Sequence, residues 1–281
     1  MSLPQRKFLF CGTVMDMNET FINTVWSYYK TNKRNFPWRE TQNPYYIFLS
    51  EICLQQTQTS RVIDKYQELI QAFPTVQTLA KASFSTILSH WSGLGYNRRA
   101  KYLKEAAQIL CEKHYGVIPN DVVALDALPG VGVNTAAAIV VYSFNTPVAF
   151  IETNIRRVYI HHFFSDKEDV SDRDILSIVA ETMDRENPRE WFWALMDYGS
   201  HLSKVVVNPN RKSKQYAKQS TFTGSVRQVR GSLLRILLVA PQDKTSILSQ
   251  IEGNPDHLDQ ALGELIKEKM LVEKDGVYSL A

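Results

Sequence analysis

The stretch Leu128-Pro129-Gly130-Val131-Gly132, followed by the apolar run from Thr135 to Tyr142, decides how this chain is read. Two glycines let the backbone turn tightly and approach another backbone or a phosphate closely. A helix starting just beyond them presents free N–H groups and the positive end of its dipole to an anion. A tight helix–helix turn uses the same residues, so taken alone the stretch leaves both readings open.

Working outward, apolar residues recur at three- and four-residue spacings in 20–31, 46–56, 61–73, 99–114, 133–144 and 174–184, and strand signals are scarce. The chain is mainly α. Pro44 sits where a helix can begin, with Asn43 before it as a cap, and the segment then runs to Phe73 with a bend expected between Thr57 and Ser60. Residues 208–224 are polar, basic and rich in Asn, Ser, Lys and Gln, which marks a linker. Beyond it the pattern gives helices over 226–239, 244–251 and 256–269, then two short strands around Asp275-Gly276, the order of a winged helix. Its third helix carries Asp256, Asp259, Glu264 and Glu268, and an acidic helix is a poor groove reader. The module is therefore either a DNA-binding element or a structural or protein-contact one.

With 281 residues and 44% hydrophobic content the chain can bury a real core. Residues 1–20 contain one short apolar stretch, Phe8 to Val14, so neither a signal peptide nor a membrane span is expected, and the protein is placed in the cytoplasm or on the nucleoid. Cys11, Cys53 and Cys111 are far apart and lack metal-ligand spacing, which argues against a disulfide framework and a cysteine-based metal site. The net charge of +3 is unevenly spread: from Tyr198 to Gln242 there is no Asp or Glu, while Lys204, Arg211, Lys212, Lys214, Lys218, Arg227, Arg230 and Arg235 are all basic.

Four further stretches sharpen the reading: Phe36-Pro37-Trp38-Arg39, Ser50 to Gln58 (SEICLQQTQ), Gly93 to Ala100 (GLGYNRRA) and Glu152 to Val158 (ETNIRRV). In this order, with the hairpin, they resemble the adenine DNA glycosylase (MutY-type) branch of the helix-hairpin-helix superfamily over residues 20–205. The resemblance implies a two-lobed, all-helical glycosylase domain over 1–207, a basic linker over 208–224 and a small winged-helix-like domain over 225–281. It also implies that the hairpin 128–132, through Gly130 and Gly132, clamps a DNA phosphate and that its carbonyls could hold a monovalent cation. The partner is then double-stranded DNA containing a mismatch or lesion, bound by a monomer.

Glu51 lies on an otherwise apolar helix, among Phe48, Leu49, Ile52 and Leu54. A carboxyl held among apolar groups has a raised pKa and can stay protonated near neutral pH, as an acid catalyst must. By resemblance Glu51 protonates the departing base and later assists water attack. A second carboxylate stabilises the oxocarbenium charge that develops on the sugar. The family places an Asp there; this chain has Glu152, whose oxygens would lie about 1.5 Å further along the side chain. Two residues past the second hairpin glycine, bifunctional relatives carry a Schiff-base lysine, and this chain has Asn134. An amide forms no imine, so a monofunctional, water-using enzyme is expected.

Gln56 and Tyr96 match positions that push into the base stack when a nucleotide is flipped out. Trp38, Arg39 and Gln55 are candidates to line the base pocket, and Arg98 and Arg99 to meet backbone phosphates. Met196-Asp197-Tyr198-Gly199 matches the segment that most relatives follow with four cysteines, but no cysteine follows here, so no iron–sulfur cluster is expected. Residues 225–281 are shorter than the domain with which typical adenine glycosylases sense 8-oxoguanine. Excision of adenine opposite guanine or 8-oxoguanine is the first expectation. The alternatives are removal of uracil or thymine opposite guanine, and a catalytically silent DNA-damage binder.

Overall fold

The computed structural model describes residues 7–10 and 13–281, with side chains from Met17 onward. Cys11, one of the three thiols weighed above, lies outside the described residues, as does part of the Phe8–Val14 stretch. In chain order the elements are strands β1 (Lys7–Phe10) and β2 (Thr13–Asp16), then helices α1 (Met17–Asn32), α2 (Pro44–Leu54), α3 (Thr59–Ala72), α4 (Val76–Lys81), α5 (Phe84–Trp91), α6 (Arg98–His114), α7 (Val122–Asp126), α8 (Val133–Phe144), α9 (Thr153–Phe163), α10 (Asp172–Thr182), α11 (Pro188–Val205) and α12 (Val226–Val239). Strand β3 (Gln242–Asp243), helices α13 (Lys244–Gln250) and α14 (Leu258–Lys267), and strands β4 (Leu271–Lys274) and β5 (Val277–Leu280) complete the chain. Short 3-10 turns occupy Pro37–Arg39 and Pro209–Lys212.

Two compact units emerge, each assembled from separated pieces of chain. The first comprises residues 1–44, 120–122 and 133–217. Within it, α1 buries Phe21, Val25 and Tyr29, one stripe at four-residue spacing. Phe21 meets Tyr159, Phe163 and Trp191 with ring centroids 4.9–6.0 Å apart, which joins α1, α9 and α11. Helix α8 is buried from Ala136 to Ser143, and small alanines let it sit deep in this unit. At the crossing of α9 and α11, a side chain at Gly199 would come within 2.4 Å of the Asn154 carbonyl, so only glycine fits.

The second unit comprises residues 45–119, 123–132 and 218–281. Helix α2 buries Tyr45, Ile47, Phe48, Leu49, Ser50, Ile52 and Cys53, nearly its whole circumference. The bend expected near Thr57 is a full break between α2 and α3, made where Gln56 takes φ +52°. Helix α12 buries Val229, Leu233, Leu234 and Leu237, and it packs on α14, which buries Leu258, Leu262 and Leu265. Strands β3, β5 and β4 form one antiparallel sheet, with β4 and β5 turning at Asp275-Gly276 and β3 on the far side of β5. This is the winged-helix order, and α12 of that module also touches α5.

The β1–β2 pair, in register Lys7↔Asp16 to Phe10↔Thr13, is absent from the helical reading of the sequence. Strands of four residues are too short to show a period. Much of the first half of 208–224 is seated: the Asn210 amide donates to the Thr153 carbonyl at 3.0 Å, and Val170 pairs with Ser213.

Candidate functional site

Each candidate residue is placed by its own element. Glu51 occurs in α2 between buried Ser50 and buried Ile52, and is itself half-buried. The helix around it has no broad polar face, so this carboxyl is not the solvent side of an amphipathic helix. One turn on, the Gln55 side-chain amide donates to the Gly130 carbonyl at 3.0 Å, tying the end of α2 to the glycine hairpin. Gln55 thus supports the hairpin, a role that the expectation of a base-pocket residue did not include.

The hairpin closes through the Val131 N–H, which donates to the Leu128 carbonyl at 3.1 Å. Gly130 takes φ +75°, and a Cβ there would sit 2.8 Å from the Tyr102 Cβ. Both facts require glycine: the left-handed backbone and the close approach to α6. Gly132 has open space around it, as a site of close approach by a second molecule needs. Of the carbonyls considered for a monovalent cation, those of Leu128 and Gly130 each accept one hydrogen bond and keep a second lone pair.

Gln56 and Tyr96 are exposed residues at element ends in the second unit, and both hold left-handed backbone, at φ +52° and +48°. For a non-glycine residue this conformation costs about 1–2 kcal/mol. Tyr115, Asn145, Asp169, Lys269 and Asp275 hold the same conformation, so the backbone fixes the turns at Gln56 and Tyr96 without by itself assigning them a role. Behind Tyr96, Arg99 is buried: it donates to the carbonyls of Ile52, Cys53, Leu94 and Gly95 and to the Thr57 hydroxyl, and its guanidinium lies 5.0 Å from the Trp91 ring centre. The expectation that Arg99 meets a DNA phosphate is therefore corrected. Its donors satisfy the otherwise open carbonyls at the end of α2 and in the 94–95 loop, which keeps the Tyr96 loop in shape. Arg98 is exposed and pairs with Glu268.

In the first unit, Glu152 caps α9. Its Oε1 accepts from the backbone N–H of Asn154 at 2.6 Å and of Ile155 at 2.9 Å. Folding back onto its own helix takes up the extra methylene that distinguishes Glu from Asp. Burial pushes the Glu152 carboxyl above the usual carboxylate range, while the two backbone donors and the nearby Arg157 and Arg156 pull the other way. The Asn134 Oδ1 accepts from the Ile151 N–H at 3.1 Å, so the residue in the lysine position fixes the backbone immediately before Glu152.

Sequence reasoning missed two neighbours. Asn154 reaches the Glu152 Oε2 at 3.4 Å and accepts from Arg157 at 2.6 Å, and Arg157 donates onward to the Gly199 carbonyl at 2.8 Å. The signal lay in Arg157, a charged residue on the buried face of α9 that needs partners. Trp38 is buried and stacked on Phe36, centroids 5.0 Å apart. The Arg39 guanidinium is bidentate to the buried Asp197, which also pairs with Arg34. Asp197 of the Met-Asp-x-Gly segment is thus a structural anion, and the donors of Arg39 nearest it are committed to that pair. Among the described residues no group of three or more His, Cys, Asp or Glu could hold a metal ion.

Residues 49–180 match the HhH-GPD superfamily base excision DNA repair protein family. The adenine DNA glycosylase of Mycobacterium tuberculosis is 31% identical over 283 residues, covering 90% of this chain and 91% of that protein. The thymine/uracil-DNA glycosylase of Methanothermobacter thermautotrophicus is 30% identical over 196 residues, 69% of this chain and 87% of that one. Among solved structures, a thermostable thymine-DNA glycosylase aligns with TM-score 0.59 at 25% identity, covering 66% of this chain and 86% of that one. The glycine hairpin ahead of a buried helix, the capped carboxylate that follows it and a likeness to an adenine glycosylase over 90% of the chain agree: this chain belongs to the HhH-GPD superfamily, in its MutY-type branch.

Proposed function

We propose that the protein is a monofunctional DNA glycosylase of base-excision repair that hydrolyses the N-glycosidic bond of adenine mispaired with guanine or 8-oxoguanine. The observation that carries this reading is the match to an adenine DNA glycosylase over 91% of that protein's length, which leaves little of it outside the alignment. The short C-terminal module is then no obstacle to the activity.

In this reading the duplex is gripped at the hairpin through Gly130 and Gly132, and the adenine is flipped out while Gln56 and Tyr96 fill the gap. Glu51 gives its proton to the adenine, the C1′–N bond breaks with its electron pair going to the base, and Glu152 as carboxylate faces the positive sugar. Water then adds to C1′ and returns a proton to Glu51. Asn134 holds Ile151, and through it Glu152, and has no amine to attack the sugar. No iron–sulfur cluster is proposed, because no cysteine follows Cys111 in the chain.

A second reading, excision of thymine or uracil opposite guanine, is favoured by the likeness to the thymine/uracil enzyme over 69% of this chain. End-labelled duplexes carrying A·G, A·8-oxoguanine, T·G and U·G pairs, treated with alkali after incubation, separate the two. Cleavage of the adenine strand only after alkali, with no adduct trapped by borohydride, is the expected result. Cleavage confined to thymine or uracil strands overturns the adenine assignment, and an efficient borohydride adduct overturns the monofunctional one.

A further inference from the structure

The C-terminal module meets the second unit's candidate DNA-inserting residue directly. The Tyr96 hydroxyl accepts from the Gln219 side-chain amide and, at 3.3 Å, from Arg227 Nη1. Arg227 lies in the first turn of α12, and its Nη2 donates to the Ser220 carbonyl at 2.7 Å, which folds residues 219–227 into a short strap beside the ring.

The charges around this strap are distributed unevenly. Helix α12 carries three arginines, Arg227, Arg230 and Arg235. Arg230 pairs with Glu264 at 2.8 Å and with Glu268 at 2.6 Å, and Arg235 pairs with Glu252 at 2.6 Å. Glu268 also holds Arg98, on the α6 side of the Tyr96 loop. The acidic residues Glu264 and Glu268 of α14 are therefore taken up in neutralising α12 and docking the module. Among the described residues no carboxylate pairs with Arg227, and the sequence around it from Tyr198 to Gln242 contains no Asp or Glu. A half-buried guanidinium with only neutral oxygens for partners is incompletely compensated, and an anion arriving beside it is attracted more strongly than at an exposed lysine.

We infer that Arg227 is a DNA-contact residue of the C-terminal module, seated at the Tyr96 ring to take a backbone phosphate of the duplex into which Tyr96 inserts. The inference rests on the proposed reading of Tyr96. As DNA enters, the weak 3.3 Å bond to the phenol is exchanged for a charge-assisted bond to phosphate, while the Ser220 bonds hold the guanidinium in place. The winged-helix-like module thus reaches DNA through the start of its first helix, while Glu264 and Glu268 at the end of its acidic third helix are engaged by Arg230 and Arg98.

The test is equilibrium binding of the full chain to two duplexes, one with a stable tetrahydrofuran abasic analogue opposite guanine and one undamaged, between 50 and 200 mM KCl. A residue that neutralises one phosphate contributes about one to the slope of log K against log salt. Arg227→Gln is expected to weaken binding several-fold and lower that slope by about one, and Arg227→Lys to restore the slope. An unchanged slope with unchanged affinity overturns the proposal. So does tighter binding, which would mean that the strap only covers Tyr96. If the wild type releases no base and does not prefer the lesion duplex, the glycosylase reading itself falls. If it does both and Arg227→Gln matches it, only the inference about Arg227 falls.

Discussion

In the proposed mechanism Glu51 acts protonated and Glu152 ionised, and each state has its own test. Glu51→Gln keeps the shape of the side chain but removes the proton, so single-turnover excision should fall by about 10²–10⁴, the usual contribution of a general acid. Binding to the abasic-analogue duplex should change by no more than a few fold, and substantial remaining activity would take Glu51 out of the mechanism. Glu152 must be ionised to face the sugar. Burial raises its pKa, so the acid limb of the rate–pH profile should lie above the usual carboxylate range of about pH 4. Activity then rises with pH through that limb. Glu152→Gln should remove the limb and cost about 10²–10³ in rate, and a variant that kept the wild-type profile would show that another group titrates. Position 152 also shows where sequence stops being informative. That a carboxylate stands at this position was legible; that it folds back to cap α9 was not, because the cap depends on the extended backbone at Glu152.

At the scale of elements, the glycine hairpin is the most exposed to test. Gly130→Ala places a methyl group 2.8 Å from the Tyr102 Cβ on left-handed backbone, and should destabilise by about 1–3 kcal/mol, read from denaturant midpoints. DNA affinity should fall with it, whereas Gly132→Ala, with open space around its Cβ, should affect binding with little change in stability. Equal loss of stability in both variants would contradict the different roles given to the two glycines. The helices over 99–114, 133–144 and 226–239 were readable because each keeps a 3.6-residue apolar stripe or a continuous apolar run. Arg99 was misread for a physical reason. Beside Arg98 it looks like surface charge, and only the folding of the end of α2 against the 94–95 loop supplies the carbonyl oxygens that bury it. The same holds for the contact between Arg227 and Tyr96, which are 131 residues apart in sequence.

For the molecule as a whole, the C-terminal module and residues 45–119 share one compact unit. Truncation after Gly224 removes α12 from α5 and uncovers apolar surface, so the thermal midpoint should fall along with DNA affinity. An unchanged midpoint would mean that the module is an independent appendage. The first unit is closed by pieces from both sides of the second: Tyr29 of α1 donates to Glu190 of α11, 161 residues later. During synthesis at about 5–20 residues per second, α1 leaves the ribosome roughly 8–32 s before its partner exists. For most of that interval, until α9 brings Tyr159 and Phe163 to Phe21, the apolar stripe of α1 has no partner helix, while α2 to α6 are already synthesised. Ribosome-arrested chains ending near residue 180 should therefore be cut by protease within α1 and protected over 45–119, and protection of α1 at that length would refute this order. The interleaved chain order thus makes the apolar face of α1 the part of the nascent chain that waits longest for its partners.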